Sequence, residues 1–178
     1  MNRSLFISAL LFTPCLSPAV FASDSFNPLQ NESFELALTN SNYTSGDYTT
    51  GRGIYVGVSA PLVVSELGGA SVAADLGYGN LGTIKGETGF GDSNSVQVTS
   101  AQLGLRANFM FGDNVNAYLK GNVANVSTDA SAFGGGSTTE GQLGLGVEFF
   151  ARRGLAFNLA YQHVAGDIRS LMLGISIR

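Results

Sequence analysis

The sequence predicts an all-β chain, an eight-stranded antiparallel up-and-down transmembrane β-barrel. Three observations predict it. Apolar residues recur at every second position along most of the chain, which in a strand puts them on one face. The candidate strands run to about ten residues or more, the tilted span a bilayer requires and longer than usual for a soluble protein. The opposite face is polar and glycine-rich, yet only 12% of the 178 residues are charged, whereas a water-facing surface is about a quarter or more charged.

The chain opens with what reads as a secretory signal peptide over residues 1–22. Arg3 gives the positive start, Leu5 to Leu16 the apolar stretch, and Val20-Phe21-Ala22 a small-residue cleavage site before Ser23. The single cysteine, Cys15, lies inside it. Pro14 before it does not suit a lipoprotein processing site, so cleavage after Ala22 leaves a mature chain without thiol or disulfide. Residues 23–178 then form one barrel domain.

Residues 23–32 show no period and read as a lead-in on the periplasmic side. The first strand spans Ser33 to Tyr43, with Phe34, Leu36 and Leu38 on one face. A polar connection over 44–50 leads to the second, Gly51 to Ala60, with Ile54, Val56 and Val58 outward and Tyr55, Gly57 and Ser59 opposite. Pro61 to Gly69 reads as an unusually apolar connection. The third strand, Ala70 to Lys85, sets Val72, Ala74, Leu76 and Tyr78 against Ala73, Asp75, Gly77 and Gly79. After a Gly/Asp/Asn/Ser-rich loop the fourth, Val96 to Phe111, opposes Leu103, Leu105, Ala107, Phe109 and Phe111 to Gln102, Gly104, Arg106, Asn108 and Met110. Gly112-Asp113-Asn114 has turn chemistry. The fifth strand, Val115 to Ser127, opposes Ala117, Leu119 and Val123 to Asn116, Tyr118, Lys120 and Asn122, and a low-complexity loop covers 128–139. Three further apolar runs begin at Leu143, Leu155 and Leu171, separated by the turn Ala151-Arg152-Arg153-Gly154 and a polar connection around Gly166-Asp167. Connections this short make antiparallel neighbours.

Composition excludes several classes. No run of about 18 apolar residues follows the N-terminus, so no helix spans a membrane. A net charge of −4 argues against nucleic acid, and the sequence offers no basic patch for anionic lipid. In a soluble sandwich or barrel the apolar face would point to the core. Lipid outside is favoured by the signal peptide, the strand lengths and the sorting of aromatics by end. Phe34, Phe109, Phe111 and Phe149 fall at the periplasmic end, and Tyr43, Tyr55, Tyr78 and Tyr161 toward the outer end, as two aromatic girdles around an aliphatic band.

This pattern resembles the small eight-stranded outer-membrane barrels, those of the OmpA transmembrane domain, OmpX/Ail and Opa type, over residues 33–178. The resemblance implies a Gram-negative outer membrane as the location, lipid and lipopolysaccharide as surroundings, the barrel assembly machinery as a partner in biogenesis, and a monomer. Such proteins usually end in an aromatic residue read by that machinery. This chain stops at Gly174-Ile175-Ser176-Ile177-Arg178, so either Ile177 substitutes or the assembly signal is weak.

An eight-stranded barrel is just wide enough to be filled by side chains. Parity places Glu35, Asp75 and Glu148 inside with Arg106 and Lys120, as an ion-pair and hydrogen-bond network, since buried charges must pair. The inward glycines Gly57, Gly77, Gly104, Gly144, Gly146 and Gly174 would make room for Arg106, Lys120 and Tyr118. His163 is the only histidine. It has the place of the histidine in a His-x-Ser pair of outer-membrane lipid A deacylases, but two positions on stands Ala165, so the nucleophile is missing. No carboxylate pair suits acid/base work, and no metal or cofactor set is apparent. The expectation is a non-catalytic barrel with a filled interior and a structural or surface-interaction role of the adhesion or resistance type, its outer loops being the surface left for a ligand. The alternatives are a narrow porin-like pore, an outer-membrane lipid-modifying enzyme and a soluble periplasmic barrel.

Overall fold

The structure is a computed structural model, and it describes residues 27–43, 51–67, 69–87, 93–129, 136–164 and 168–178. The signal peptide, its cleavage site and Cys15 lie outside the described residues. Eight strands follow one another: β1 (Ser33–Tyr43), β2 (Gly51–Val64), β3 (Ala70–Glu87), β4 (Ser93–Phe111), β5 (Val115–Asp129), β6 (Gly136–Arg152), β7 (Leu155–Val164) and β8 (Ile168–Ile177). Each pairs antiparallel with its sequence neighbours, and β8 closes on β1. Closure satisfies every strand edge within the wall, the condition for exposing strands to hydrocarbon.

The closure is staggered. Following paired residues from Tyr43 through Ile168, Val164, Gln142, Asn122, Gly104, Asp75 and Ser59 returns to β1 at Ser33, ten residues away from the start. That shear requires the strands to tilt, and it sets which interior side chains share a level.

Alternation assigns the two faces. Leu38, Leu103, Leu143 and Leu173 are each more than 60% exposed on the outer face, while their chain neighbours point into the lumen. An exposed aliphatic surface of this kind needs an apolar medium around it.

The strands are longer than periodicity alone indicates. Pro61 to Val64 is strand, not connection. A register shift between Pro61 and Val63 accommodates the proline, which has no N–H to give to the ladder. The connection shrinks to 65–69, tied by Ser65 N–H donating to Ala70 O at 2.9 Å. At the same end lie the turns at 112–114 and 153–154, where Gly112 (φ 64°) and Gly154 (φ 79°) take left-handed conformations that a side chain would resist. At the other end β3 to β6 run on past β1, β2, β7 and β8. They have 18, 19, 15 and 17 residues, against 11, 14, 10 and 10. These four form a crest above the rim. Short turns and the first and last described residues on one side, longer connections on the other, is the arrangement in which the turns face the periplasm.

The lead-in is also structured from Asn27. Asn27 Oδ1 accepts from Leu29 N–H at 3.0 Å and Asn27 O from Gln30 N–H at 3.1 Å, a turn that seats Leu29 at 1% exposure at the short-turn end.

Candidate functional site in the barrel lumen

The lumen is layered. Next to the short turns lies a charged tier. Glu148, fully buried, receives Arg106 Nη2 at 2.8 Å, Arg178 Nη2, Asn116 Nδ2 at 2.7 Å and Ser176 Oγ at 2.8 Å. A carboxylate with three hydrogen-bond donors and a further guanidinium against it has little acceptor capacity left over. Arg106 also donates through Nε to Asn108 Oδ1 at 2.8 Å and lies over the Tyr118 ring at 3.7 Å. One step further in, Lys120 Nζ lies 3.1 Å from Glu35 Oε2 and 3.4 Å from Asp75 Oδ1. Tyr118 donates to Asn158 Oδ1 at 2.8 Å, and Asn158 in turn donates to Glu35 Oε1. Arg106 Nη1, 4.0 Å from Glu35, links the two groups. Glu35, Asp75 and Glu148 thus balance Arg106, Lys120 and Arg178, all of them buried. Charge balance with directional partners is what makes such burial tolerable.

Above this tier comes a layer of carboxamides. Asn122 Nδ2 donates to Asp75 Oδ2 at 3.0 Å and to Gln102 Oε1 at 3.3 Å, and Gln142 Nε2 donates to Gln162 Oε1 at 2.7 Å. At the outer mouth the wall turns apolar: Leu81, Val98, Ala124, Val126 and Val164 pack into one buried cluster with Ile168 against it.

The five charged residues singled out in the sequence therefore all lie in the lumen and converge in one network. Sequence reading omitted the sixth member. Arg178 is nearly buried, paired with Glu148, and donates through Nη1 to Pro28 O at 2.6 Å, which fastens the Leu29 turn across the mouth. The signal was parity. Ser170, Met172, Gly174 and Ser176 point inward along β8, and position 178 follows them, leaving Ile177 on the lipid face at 46% exposure.

Tyr55 is a correction. It does not belong to an aromatic girdle but is fully buried, because it shares the lumen face of β2 with Gly57 and Ser59. Its ring occupies the space above Gly57 and Gly77, where a Cβ would come within 2.8 Å and 2.7 Å of ring carbons. Gly146 makes the same allowance for Tyr118, at 2.4 Å. Gly104 and Gly174 serve the wall instead, where a Cβ would strike the backbone oxygens of Gly121 and Leu36 at 2.2 Å. Phe34, Phe109, Phe111 and Phe149 face outward at the short-turn end, joined by Phe157, the cross-strand partner of Phe149. Tyr78 and Tyr161 face outward higher up. The Tyr43 side chain lies outside the described residues. His163 is half-buried on the outer face of β7, opposite Arg169. Among the described residues no three His, Cys, Asp or Glu side chains converge as metal ligands would.

Comparison with known proteins agrees with this architecture. The model of the outer membrane protein beta-barrel domain matches residues 8–173. Among solved structures, the outer membrane protein OprG from Pseudomonas aeruginosa aligns with a TM-score of 0.60 at 8% identity, covering 82% of this chain and 94% of that one. Ail, the attachment invasion locus protein of Yersinia pestis, solved with the heparin analogue sucrose octasulfate, aligns with a TM-score of 0.51 at 14% identity, covering 82% and 95%. At these identities the likeness is one of fold. No curated protein sequence matches the chain. With closed topology, lipid-exposed outer face and family match in agreement, the chain belongs to the outer membrane protein beta-barrel domain family.

Proposed function

We propose that this barrel is a non-conducting, non-catalytic component of the Gram-negative outer membrane, with a structural and surface-interaction role. The observation that carries the reading is the filled lumen: Glu148 holds Arg106 and Arg178, and Lys120 holds Glu35 and Asp75, in the span where a pore would need water. Opening that path would separate buried ion pairs, at a cost of several kcal/mol each. The crest of β3 to β6 supports a role at the cell surface, since it presents polar, uncharged groups such as Asn125, Ser127, Thr138 and Thr139 above the rim. The outer connections that would complete a ligand surface lie outside the described residues. A lipid-modifying activity has no support in the sequence at His163, where Ala165 stands two positions on in place of a serine. Delivery follows from cleavage after Ala22, so the intact mass of protein taken from outer membranes is expected to begin at Ser23.

The test is planar-bilayer recording on the purified, heat-modifiable barrel. The expected trace shows no discrete steps. Steps that respond to Lys120→Met or Glu148→Gln would replace this reading with the narrow pore.

A further inference from the structure

The sequence holds no basic run, yet barrel closure assembles a cationic patch on the outer surface. Arg52 in β2 and Arg169 in β8 are distant in sequence. Because β8 closes on β1, they stand on either side of one strand, Arg169 opposite Asn42 and Arg52 opposite Asn40. His163 lies opposite Arg169 on β7. Two strand spacings and a two-residue offset along β1 separate the arginine backbones, roughly 12 Å. Both arginines are exposed on the lipid side of the wall. Neither makes a hydrogen bond or ion pair with any of the described residues.

Their height on the wall matters. Just below stand the outward Tyr161 and the aliphatic Ile54, Leu38 and Leu171, which belong to the hydrocarbon band. Tyrosine marks the boundary between acyl chains and headgroups. Around the rest of the rim the described outward side chains are neutral: Asn80 opposite Thr99, and Asn125 opposite Thr139. Among the described side chains, Arg52 and Arg169 are the only Lys or Arg facing outward at this end. The other described cations fill the lumen or sit at the β6–β7 turn, as Arg152 and Arg153 do. Among the described side chains the patch therefore lies on one side, β7-β8-β1-β2, which is also the side of the shorter strands.

We propose that Arg52 and Arg169, with His163 and Asn40 beside them, form a lipid site for the phosphorylated headgroup of an outer-leaflet glycolipid. Guanidinium groups match phosphate oxygens bidentately and stay charged at every physiological pH. A pair held on rigid strands at headgroup level, two strands apart, suits a headgroup carrying more than one phosphate. The proposal rests on the barrel's place in the outer membrane, and a conducting or silent lumen leaves it untouched.

The test uses the full mature barrel in nanodiscs, titrated with bisphosphorylated lipid A and read by native mass spectrometry. Arg52→Gln/Arg169→Gln is expected to weaken retention of lipid A at least tenfold while heat-modifiability is unchanged. Dephosphorylated lipid A should bind wild type no better than the double variant does. Excess inorganic phosphate should fail to displace the lipid, which separates headgroup recognition from simple anion binding. A second variant adds Thr99→Arg and Asn125→Arg on the opposite side of the double-glutamine barrel, restoring net charge without restoring the site. Continued loss of binding supports a one-sided site. Full recovery in that variant, or wild-type retention in the double-glutamine barrel, would overturn it.

Discussion

The two ends of the lumen are closed by opposite means. Toward the periplasm, Glu148, Arg106 and Arg178 fill the space with charge, and each group depends on a partner reaching from another strand: β6, β4 and the residue after β8. Toward the outside, Leu81, Val98, Ala124, Val126 and Val164 close it with aliphatic groups that need only contact. The first closure is directional and fails if one partner leaves, because the charge left behind stays buried. The second is non-directional and loses roughly in proportion to the volume removed. The barrel is thus specific at one end and merely dry at the other, and substitutions at the two ends should behave differently in kind.

The largest effect is expected at Glu148. Glu148→Leu keeps much of the side-chain volume but leaves Arg178 without a carboxylate and Arg106 with only Glu35 at 4.0 Å. A loss of about 3–5 kcal/mol is expected from breaking a buried pair on one side. Equilibrium urea unfolding in lipid vesicles measures it. Glu148→Gln, which retains oxygen and shape but not charge, should lose less. If Glu148→Leu folds as stably as wild type, the charged tier is not what closes this end.

Leu81→Ala probes the other end. Leu81 is 1% exposed within the collar, and shortening it should cost about 2–3 kcal/mol, the low end for a buried leucine because the mouth can relax. The diagnostic is graded behaviour: Val126→Ala, with fewer atoms removed from a residue 6% exposed, should cost less in the same assay. Steep, all-or-none losses from these substitutions would erase the contrast between the ends.

Much of this was legible in the sequence, because strand parity is a strict rule. Period two assigns Glu35, Asp75, Arg106, Lys120 and Glu148 to the lumen without any tertiary information. Applied one residue beyond β8 it also assigns Arg178, and applied to Tyr55 it overrides the habit of reading a tyrosine near a strand end as a girdle residue. What parity cannot give is partnership. The ten-residue stagger carries each strand's interior groups to different heights, so Asp75 of β3 meets Lys120 of β5 across the lumen and not through an adjacent register position. Nor can a local reading find Arg52 beside Arg169, since that neighbourhood exists only once the first and last strands pair. Pro61 was misleading for a different reason: a proline that breaks most strands is tolerated here at a bulge.

The smallest effect is expected in the middle of the lumen, where the two regimes meet. Tyr55 fills the space left by Gly57 and Gly77 with its ring and presents its hydroxyl to Lys120 Nζ at 3.4 Å. That distance marks a weak hydrogen bond, and Lys120 keeps Glu35 and Asp75 when the hydroxyl is removed. The ring is the larger part of what Tyr55 contributes, since it packs with Ala37, Tyr118, Ala160 and Met172. Tyr55→Phe retains that packing and leaves no charge without a partner, so the loss should be only about 0.5–1 kcal/mol in the vesicle unfolding assay. Tyr55→Ala removes the ring from between two glycines that have no side chains to collapse into the gap, and should cost several times more. A Tyr55→Phe loss equal to that of Glu148→Leu would mean the hydroxyl belongs to the charged closure, and the boundary between the two regimes would lie higher in the barrel, at the carboxamides of Asn122 and Gln142.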